Sequence, residues 1–201
     1  MDISAEQVKT LREKTGVGLM DCKEALKASA GDMDKAVDYL REKGLAKLAK
    51  RAGRATLEGC ILAYIHTGGK VGAMVEVNCE SDFVAKTKEF QDFAKDLAMQ
   101  VTASNPSFVK REDVPEEVKE HEKTIYRKQA LDSGKPEKIL DKIAEGKLEK
   151  FYQEICLMEQ PFIKNPDITV KELLQGLVTK LGENMAIRRF TRFQLGETAE
   201  A

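Results

Sequence analysis

Apolar residues recur at helical spacing through the first 44 residues of the chain. Ser4, followed three residues later by Gln7, forms a capping-box pattern and predicts the start of a first helix. We expect that helix to end in a glycine-containing loop at residues 15–18, a second helix to follow, and a third to end at Gly44. The pattern therefore predicts a module of three short helices over residues 1–44.

The hydrophobic period then changes to two, because apolar and polar side chains alternate. The alternation over residues 59–78, interrupted by Thr-Gly-Gly-Lys at residues 67–70, predicts a β-hairpin. Helical stripes follow at residues 90–101 and 169–181, and residues 185–193 read as a third strand. These elements predict an α+β fold in which three N-terminal helices precede a small antiparallel sheet covered by helices.

The segment 107–160 is polar and heavily charged, with apolar residues at intervals. Pro115, Gly134, Pro136 and Gly146 interrupt it, which predicts about three helices. A helical hairpin or a helical cover over the same core is the simplest arrangement that buries its apolar residues.

Changes in composition divide the chain into three parts. We expect the helical module to end at residue 44, a basic linker to occupy residues 45–56, and an α+β core to occupy residues 57–201. The linker carries positive side chains at spacings of three and four, at Lys47, Lys50, Arg51 and Arg54. A helix would gather them on one face, as an RNA-binding site requires. No aromatic residue stands among them to stack on bases, which favours a solvated connector instead.

The overall composition is that of a soluble globular protein, with 42% hydrophobic and 33% charged residues among 201. Lys and Arg total 33 and Asp and Glu total 34, so the chain as a whole has no electrostatic attraction for nucleic acid or an anionic membrane. No stretch approaches the roughly 18 apolar residues of a membrane span, and no secretory signal opens the sequence. We therefore expect a cytoplasmic protein that binds neither membranes nor nucleic acid directly.

The sequence carries none of the short motifs that we searched for as signs of an enzyme. These were GxGxxG, GxxxxGK followed by Ser or Thr, HExxH and GxSxG. Four cysteines stand far apart with no CxxC pair, which disfavours a zinc site or a disulfide framework: Cys22, Cys60, Cys79 and Cys156. Cys79 with His66 and Asp82 is the one conceivable thiol site, and we expect Cys79 to be an inert packing residue. The sequence thus predicts no catalytic residue, metal or cofactor.

The junction at residues 78–84 joins the predicted hairpin to a helix and places an acid beside a large aromatic. Two interpretations are open. Asp82 can cap the helix while Phe83, seven residues before Phe90, packs on the core-facing stripe, and the local pattern favours this reading. The same side chains can instead project from a rigid scaffold towards a partner. Residue types alone name no ligand for this turn.

Two segments of the chain match longer patterns. Residues 11–26 read LREKTGVGLMDCKEAL, and residues 76–85 read EVNCESDFVA. Both resemble signatures of the bacterial translation elongation factor Ts family, the second with Ser81 in the place of a threonine. Ser81 keeps a hydroxyl that can accept from a helix amide. The resemblance spans almost the whole chain and implies that residues 1–44 fold like a ubiquitin-associated domain.

The resemblance also implies a function, that of a guanine nucleotide exchange factor for elongation factor Tu in its GDP-bound and nucleotide-free states. The turn would act as a wedge that disturbs the partner's Mg²⁺ and phosphate site, so that GDP leaves and GTP binds. The wedge residues are Ser81, Asp82, Phe83 and Val84. The N-terminal module would bind the partner's nucleotide-binding domain through Arg12, Thr15, Gly16, Val17, Gly18 and Met20. No cofactor and no covalent chemistry are implied.

Longer members of the family carry two related sheet subdomains, whereas this chain has room for one. A lone three-stranded sheet would leave an edge or an apolar face uncovered. We therefore expect two copies to pair through the core domain as a homodimer.

Three rival functions stay open at this point. A ubiquitin-binding adaptor would use residues 1–44, although the loop at residues 15–18 lacks the aromatic that such binders usually carry. An RNA- or ribosome-associated protein would use the basic linker and bind in a steeply salt-dependent way. A thiol enzyme would lose its activity on Cys79→Ala.

Overall fold

A computed structural model describes residues 3–51 and 53–197, apart from the side chains of residues 45 and 47–49. In chain order the elements are α1 (Ala5–Thr15), α2 (Leu19–Ala28), α3 (Met33–Arg51), β1 (Glu58–Ile65), β2 (Val71–Cys79), α4 (Asp82–Ala85), α5 (Lys88–Ser104), α6 (Glu116–Asp132), α7 (Glu137–Ile155), β3 (Pro161–Phe162), β4 (Asn165–Thr169), α8 (Val170–Leu181) and β5 (Met185–Gln194). The predicted mixture of helices with a small antiparallel sheet is confirmed. Within the described ranges no helix is both long and apolar enough to cross a membrane.

The chain divides into two compact units that each draw on distant parts of the sequence. The first unit comprises Met1–Gly59, Asn78–Phe90 and Leu174–Ala186. The second comprises Cys60–Val77, Gln91–Leu173 and Ile187–Ala201. The predicted turn at residues 78–84 therefore belongs to the same unit as the N-terminal helices.

The three N-terminal helices form as the pattern predicts. Gln7 N–H donates to Ser4 Oγ at 3.1 Å and Ser4 N–H donates to Gln7 Oε1 at 3.0 Å, which confirms the capping box. Asp32 accepts from the backbone N–H groups of Asp34 and Lys35, both at 3.1 Å, and so opens α3. The helices bury a small apolar core of Val8, Leu11, Cys22, Ala25, Leu26, Ala36 and Leu40.

The predicted helix end at Gly44 is wrong, because α3 continues to Arg51. A glycine ends a helix when it adopts the left-handed conformation, and Gly44 is instead buried inside the helix. A methyl group at Gly44 would lie 3.6 Å from Thr179 Oγ1, so the glycine marks a close approach of α3 to Thr179. Residues 45–51 of the predicted linker are consequently helical.

Gly44→Ala is expected to raise the free energy of unfolding by about 0.5–1 kcal/mol, because alanine is the better residue in a helix interior and its methyl group fits. Gly182→Ala is the matched control, since Gly182 has a φ of 82° that alanine adopts only under strain. Urea denaturation should show the two substitutions moving stability in opposite directions. A loss of stability with Gly44→Ala would contradict the helical assignment.

The predicted hairpin and third strand are both present. The three strands lie in the order β1-β2-β5. Gly68 and Gly69 take positive φ values of 94° and 68° in the tight turn, and His66 N–H donates to the Val71 carbonyl at 2.9 Å to close it. The glycines are required here because side chains rarely adopt this conformation.

The segment after α5 forms a helical hairpin of α6 and α7, as predicted. The predicted break at Gly146 is wrong, since α7 runs through it from Glu137 to Ile155. A single glycine costs a helix about 1 kcal/mol, which a continuous buried stripe offsets. That stripe consists of Leu140, Ala144, Leu148 and Tyr152.

The two-stranded sheet of β3 and β4 was not predicted from the sequence. A buried amide network holds the start of β3. In this network Gln100 Nε2 donates to Gln160 Oε1 and to the Pro161 carbonyl, both at 3.2 Å. Gln100 Oε1 accepts from Ile163 N–H at 2.8 Å. These bonds fix β3, which has only two residues and is therefore too short to be recognised from an alternation of apolar and polar residues.

Candidate functional site

The turn after β2 is built around a short helix, α4, with four residues. Ser81 is its N-cap, and Ser81 Oγ accepts from Val84 N–H at 3.4 Å. Val84 and Ala85 are buried below the turn and fix its lower side. Ser81 therefore takes the capping role that one interpretation of the sequence had given to Asp82.

A carboxylate from another part of the first unit holds the turn from behind. Glu183, which follows α8, accepts from Ser81 N–H at 3.0 Å with Oε2 and from Ser81 O–H at 2.6 Å with Oε1. One side chain thus binds both the backbone and the hydroxyl of the cap residue.

A second carboxylate, that of Glu80, makes the reverse contact from residues 80–81 to residues 183–184. Glu80 Oε1 accepts from Asn184 N–H at 2.5 Å, and the nearest Arg54 guanidinium nitrogen lies 3.3 Å from Glu80 Oε2. The Asn184 N–H, followed by the Arg54 guanidinium, lowers the pKa of the Glu80 carboxyl below its usual value. Asn184 Nδ2 also donates to the Arg54 carbonyl at 2.9 Å, so three segments meet beneath the turn.

Phe83 projects into solvent from this held backbone, with 81% of its surface exposed. The interpretation in which Phe83 packs on the core-facing stripe is therefore wrong. A large apolar side chain that is presented by a fixed turn is available for contact with another molecule.

Asp82 stands next to Phe83 and pairs with Lys86 one helical turn later, with 2.6 Å between Oδ2 and Nζ. The hydrogen bond and charge of Lys86 lower the pKa of the Asp82 carboxyl, so Asp82 is ionised at neutral pH. Exposed ion pairs of this kind contribute little to stability, and a partner can therefore separate them at small cost.

The loop between α1 and α2 is held by its own side chains. Thr15 Oγ1 donates to the Leu11 carbonyl at 2.7 Å and accepts from Val17 N–H at 3.4 Å. Gly16 ends α1 with a φ of 68°, and the Cys22 thiol donates to the Val17 carbonyl at 3.5 Å. Thr15 and Val17 are thus half-buried parts of the scaffold.

The remaining residues predicted at this loop are on the surface. Arg12, Gly16 and Gly18 are exposed, and Met20 is 74% exposed at the start of α2. Leu19 beside it is also exposed, although sequence analysis did not select it. Two large apolar side chains therefore face solvent immediately after the loop.

Comparison with known proteins identifies the family of this chain. The family model described as "Elongation factor TS" matches residues 23–197. This chain belongs to the elongation factor Ts family. Residues 23–197 include the turn at residues 78–84, Glu80, Glu183 and the second half of the N-terminal module.

Individual relatives match over almost the full length of the chain. Elongation factor Ts of Carboxydothermus hydrogenoformans is 60% identical over 195 residues, which cover 97% of this chain and 90% of the relative. The protein of the same name from Desulfosudis oleivorans is also 60% identical over 195 residues, with 97% and 98% covered. That of Alkaliphilus oremlandii is 58% identical over 200 residues, with 100% and 92% covered.

The rival sites predicted from the sequence have ordinary structural roles. Cys79 is fully buried, and its thiol donates to the Ser81 carbonyl at 3.1 Å, as a packing cysteine does. Arg51 donates to the Val178 carbonyl at 3.4 Å, and Arg54 faces Glu80. Lys47, the first basic residue of the predicted linker, has a side chain outside the described residues. In the part of the chain that the structure describes, no cluster of His, Cys, Asp or Glu is arranged to hold a metal.

Sequence reasoning missed Glu183 and Asn184, the residues that support the turn from behind. They lie 102 and 104 residues from their partners Ser81 and Glu80, so no local pattern connects them. Their one local signal is Gly182, the predicted end of α8, whose φ of 82° turns the chain immediately before them. The sequence thus singled out the turn at residues 78–84 but not the residues that support it.

Proposed function

We propose that this protein is a guanine nucleotide exchange factor that binds elongation factor Tu carrying GDP, promotes GDP release and leaves the partner free to bind GTP. The observation that carries the proposal is the exposure of Phe83 on a turn that two carboxylates hold in place. Membership in the elongation factor Ts family supports the choice of partner. The protein acts in the cytoplasm, where translation takes place.

Phe83 and Asp82 supply the two kinds of interaction that the release step needs. Burying an exposed phenyl side chain in a partner contributes about 1.5–3 kcal/mol, which can be used to displace part of the partner's phosphate site. Asp82 is ionised and half-exposed, so it can compete for groups around the partner's Mg²⁺. Mg²⁺ requires near-ideal octahedral geometry, and a small displacement therefore weakens several bonds to the nucleotide together.

No covalent step is part of this function, because the protein acts by coupled binding. If this protein weakens the binding of GDP to elongation factor Tu by some factor, GDP weakens the binding of this protein to elongation factor Tu by the same factor. An excess of GTP then completes the exchange and releases the protein.

The N-terminal module provides a second contact in this proposal. Residues 1–44 form a unit like a ubiquitin-associated domain that binds the nucleotide-binding domain of elongation factor Tu. Met20 and Leu19 are the exposed apolar anchors, and Thr15 and Val17 hold the loop that presents them. Arg12, Gly16 and Gly18 complete the contact surface.

Stopped-flow fluorescence of labelled GDP bound to elongation factor Tu tests the proposal. Addition of this protein in the presence of excess unlabelled nucleotide should speed GDP release by orders of magnitude, with a rate that saturates as the protein concentration rises. A release rate unchanged by saturating protein would remove the proposed function.

The second unit has an apolar sheet face that fits a second copy of this chain. One groove on it is lined by Ile65, Met74, Phe193 and Leu195, and a neighbouring groove by Ile61 and again Met74. Arg189 and Glu76 pair on this face at 2.6 Å, so their two charges balance each other there. Under a twofold axis the same face meets itself, and two sheets pack with their apolar sides together. The proposed homodimer forms through this face.

Phe193→Asp should convert the dimer into a monomer of 22.4 kDa in light scattering at micromolar concentration. Phe193 is 70% exposed, so the change should leave the fold intact while it places a charge in the centre of the contact. Leu57→Asp, at a site in the first unit that is 87% exposed, is the control and should stay dimeric. A wild-type protein that scatters as a monomer would contradict the dimer.

A further inference from the structure

The helix α4 cannot hold the wedge turn by itself. A helix of four residues is close to the costly nucleus of helix formation and gains few internal hydrogen bonds. Its cap bond, from Val84 N–H to Ser81 Oγ, is long at 3.4 Å. The position of Phe83 therefore depends on contacts from outside the turn.

Those contacts form a reciprocal pair between residues 80–81 and residues 183–184. Glu183 accepts from the backbone N–H of Ser81, and Glu80 accepts from the backbone N–H of Asn184. Each segment thus gives a carboxylate to the main chain of the other. Hydrogen bonds to a charged acceptor are stronger than those between neutral groups, and Glu183 makes a second one to the Ser81 hydroxyl.

The fixed backbone matters because burial of a phenyl ring is favourable, so an exposed ring on a free turn would tend to become buried. If the turn were free, Phe83 could fold back onto its own protein and would have to be extracted before each encounter with a partner. A fixed turn removes that cost, since the ring is already presented.

We infer that Glu183 is a positioning residue for nucleotide exchange, which acts through Ser81 to keep Phe83 presented to the partner. The inference rests on the proposed function and adds a residue outside the wedge to it. Glu183 itself need not contact elongation factor Tu or the nucleotide.

The kinetic test compares Glu183→Ala and Glu183→Gln in the GDP-release assay. Because small misplacement of a positioned group can cost up to about a hundredfold in rate, we expect Glu183→Ala to lower the maximal rate by about tenfold or more. The concentration for half-maximal release should change much less, since the N-terminal module still binds. Glu183→Gln keeps an acceptor oxygen for Ser81 N–H and should give an intermediate rate.

Two further measurements distinguish positioning from a general loss of structure. In the Phe83→Ala background, Glu183→Ala should cause a much smaller loss of rate than in the wild type, because the ring that Glu183 helps to present is already absent. Glu149→Ala is the control for stability, since Glu149 is a carboxylate that pairs with Arg111 in the second unit, at 2.6 Å. It should leave the release rate unchanged.

Amide hydrogen exchange of the free protein tests the support without the partner. Ser81 N–H should exchange faster in Glu183→Ala, while protected amides of α2 stay unchanged. The inference is overturned if wild-type protein accelerates release and Glu183→Ala accelerates it equally, or if Ser81 exchange does not respond. A wild-type protein that fails to accelerate release would instead overturn the proposed function.

Discussion

Phe83→Ala is expected to lower the maximal rate of GDP release from elongation factor Tu by about tenfold to a hundredfold. The ring is 81% exposed, so it makes few contacts within the protein, and the proposed function assigns its contacts to the partner. Losing the burial of a phenyl group removes about 1.5–3 kcal/mol from the state in which GDP leaves, and each 1.4 kcal/mol corresponds to a factor of ten. Stopped-flow release at saturating protein measures this directly.

Leu57→Ala is the matched control for Phe83→Ala. Leu57 is 87% exposed in the same unit, and its removal also deletes a large apolar side chain from the surface. Release with Leu57→Ala should match the wild type. Equal rates for wild type, Leu57→Ala and Phe83→Ala would show that Phe83 does not act as the wedge.

Phe90→Ala is expected to lower the free energy of unfolding by about 3–5 kcal/mol, the usual cost of truncating a fully buried phenylalanine. Phe90 has no exposed surface, in contrast to Phe83 seven residues earlier. The substitution leaves a cavity that the surrounding side chains fill only in part. Urea denaturation followed by circular dichroism gives the change in unfolding free energy.

Phe83→Ala should by contrast leave the unfolding free energy within about 0.5 kcal/mol of the wild type, as surface substitutions usually do. The two phenylalanines then separate function from stability, because Phe83→Ala slows release without destabilising the protein, whereas Phe90→Ala destabilises it. Similar losses of stability for both variants would contradict the exposure of Phe83.

The regular elements could be predicted because their signals are local and repeated. The signals for the capping box at Ser4, the glycine turn of the hairpin and the strand β5 each lie within a few residues, and the structure confirms all three elements. The α+β fold follows from their order along the chain.

The orientation of Phe83 could not be predicted by spacing, for a specific physical reason. Seven residues place two side chains on one face only within a continuous helix, and here α4 ends at Ala85 before α5 begins at Lys88. The break removes the phase relation between Phe83 and Phe90. Only the resemblance of residues 76–85 to a family signature pointed to the exposed position.

Gly44 and Glu183 show two other limits of local reading. A glycine near a helix end is read as a stop, yet Gly44 lies inside α3 and approaches Thr179, 135 positions further along the chain. Nothing in the local sequence distinguishes Glu183 from the other acidic residues, and only the fold places it beside Ser81. Both depend on contacts between distant segments, which periodicity does not encode.

Titration calorimetry with elongation factor Tu tests the central claim most directly. It measures the affinity of this protein for the nucleotide-free partner and for the partner saturated with GDP. A protein can promote GDP release at equilibrium only if it binds the two states with different affinities. We predict weaker binding to the GDP-bound partner, by the same factor by which this protein weakens GDP binding. Equal affinity for the two states would contradict the account.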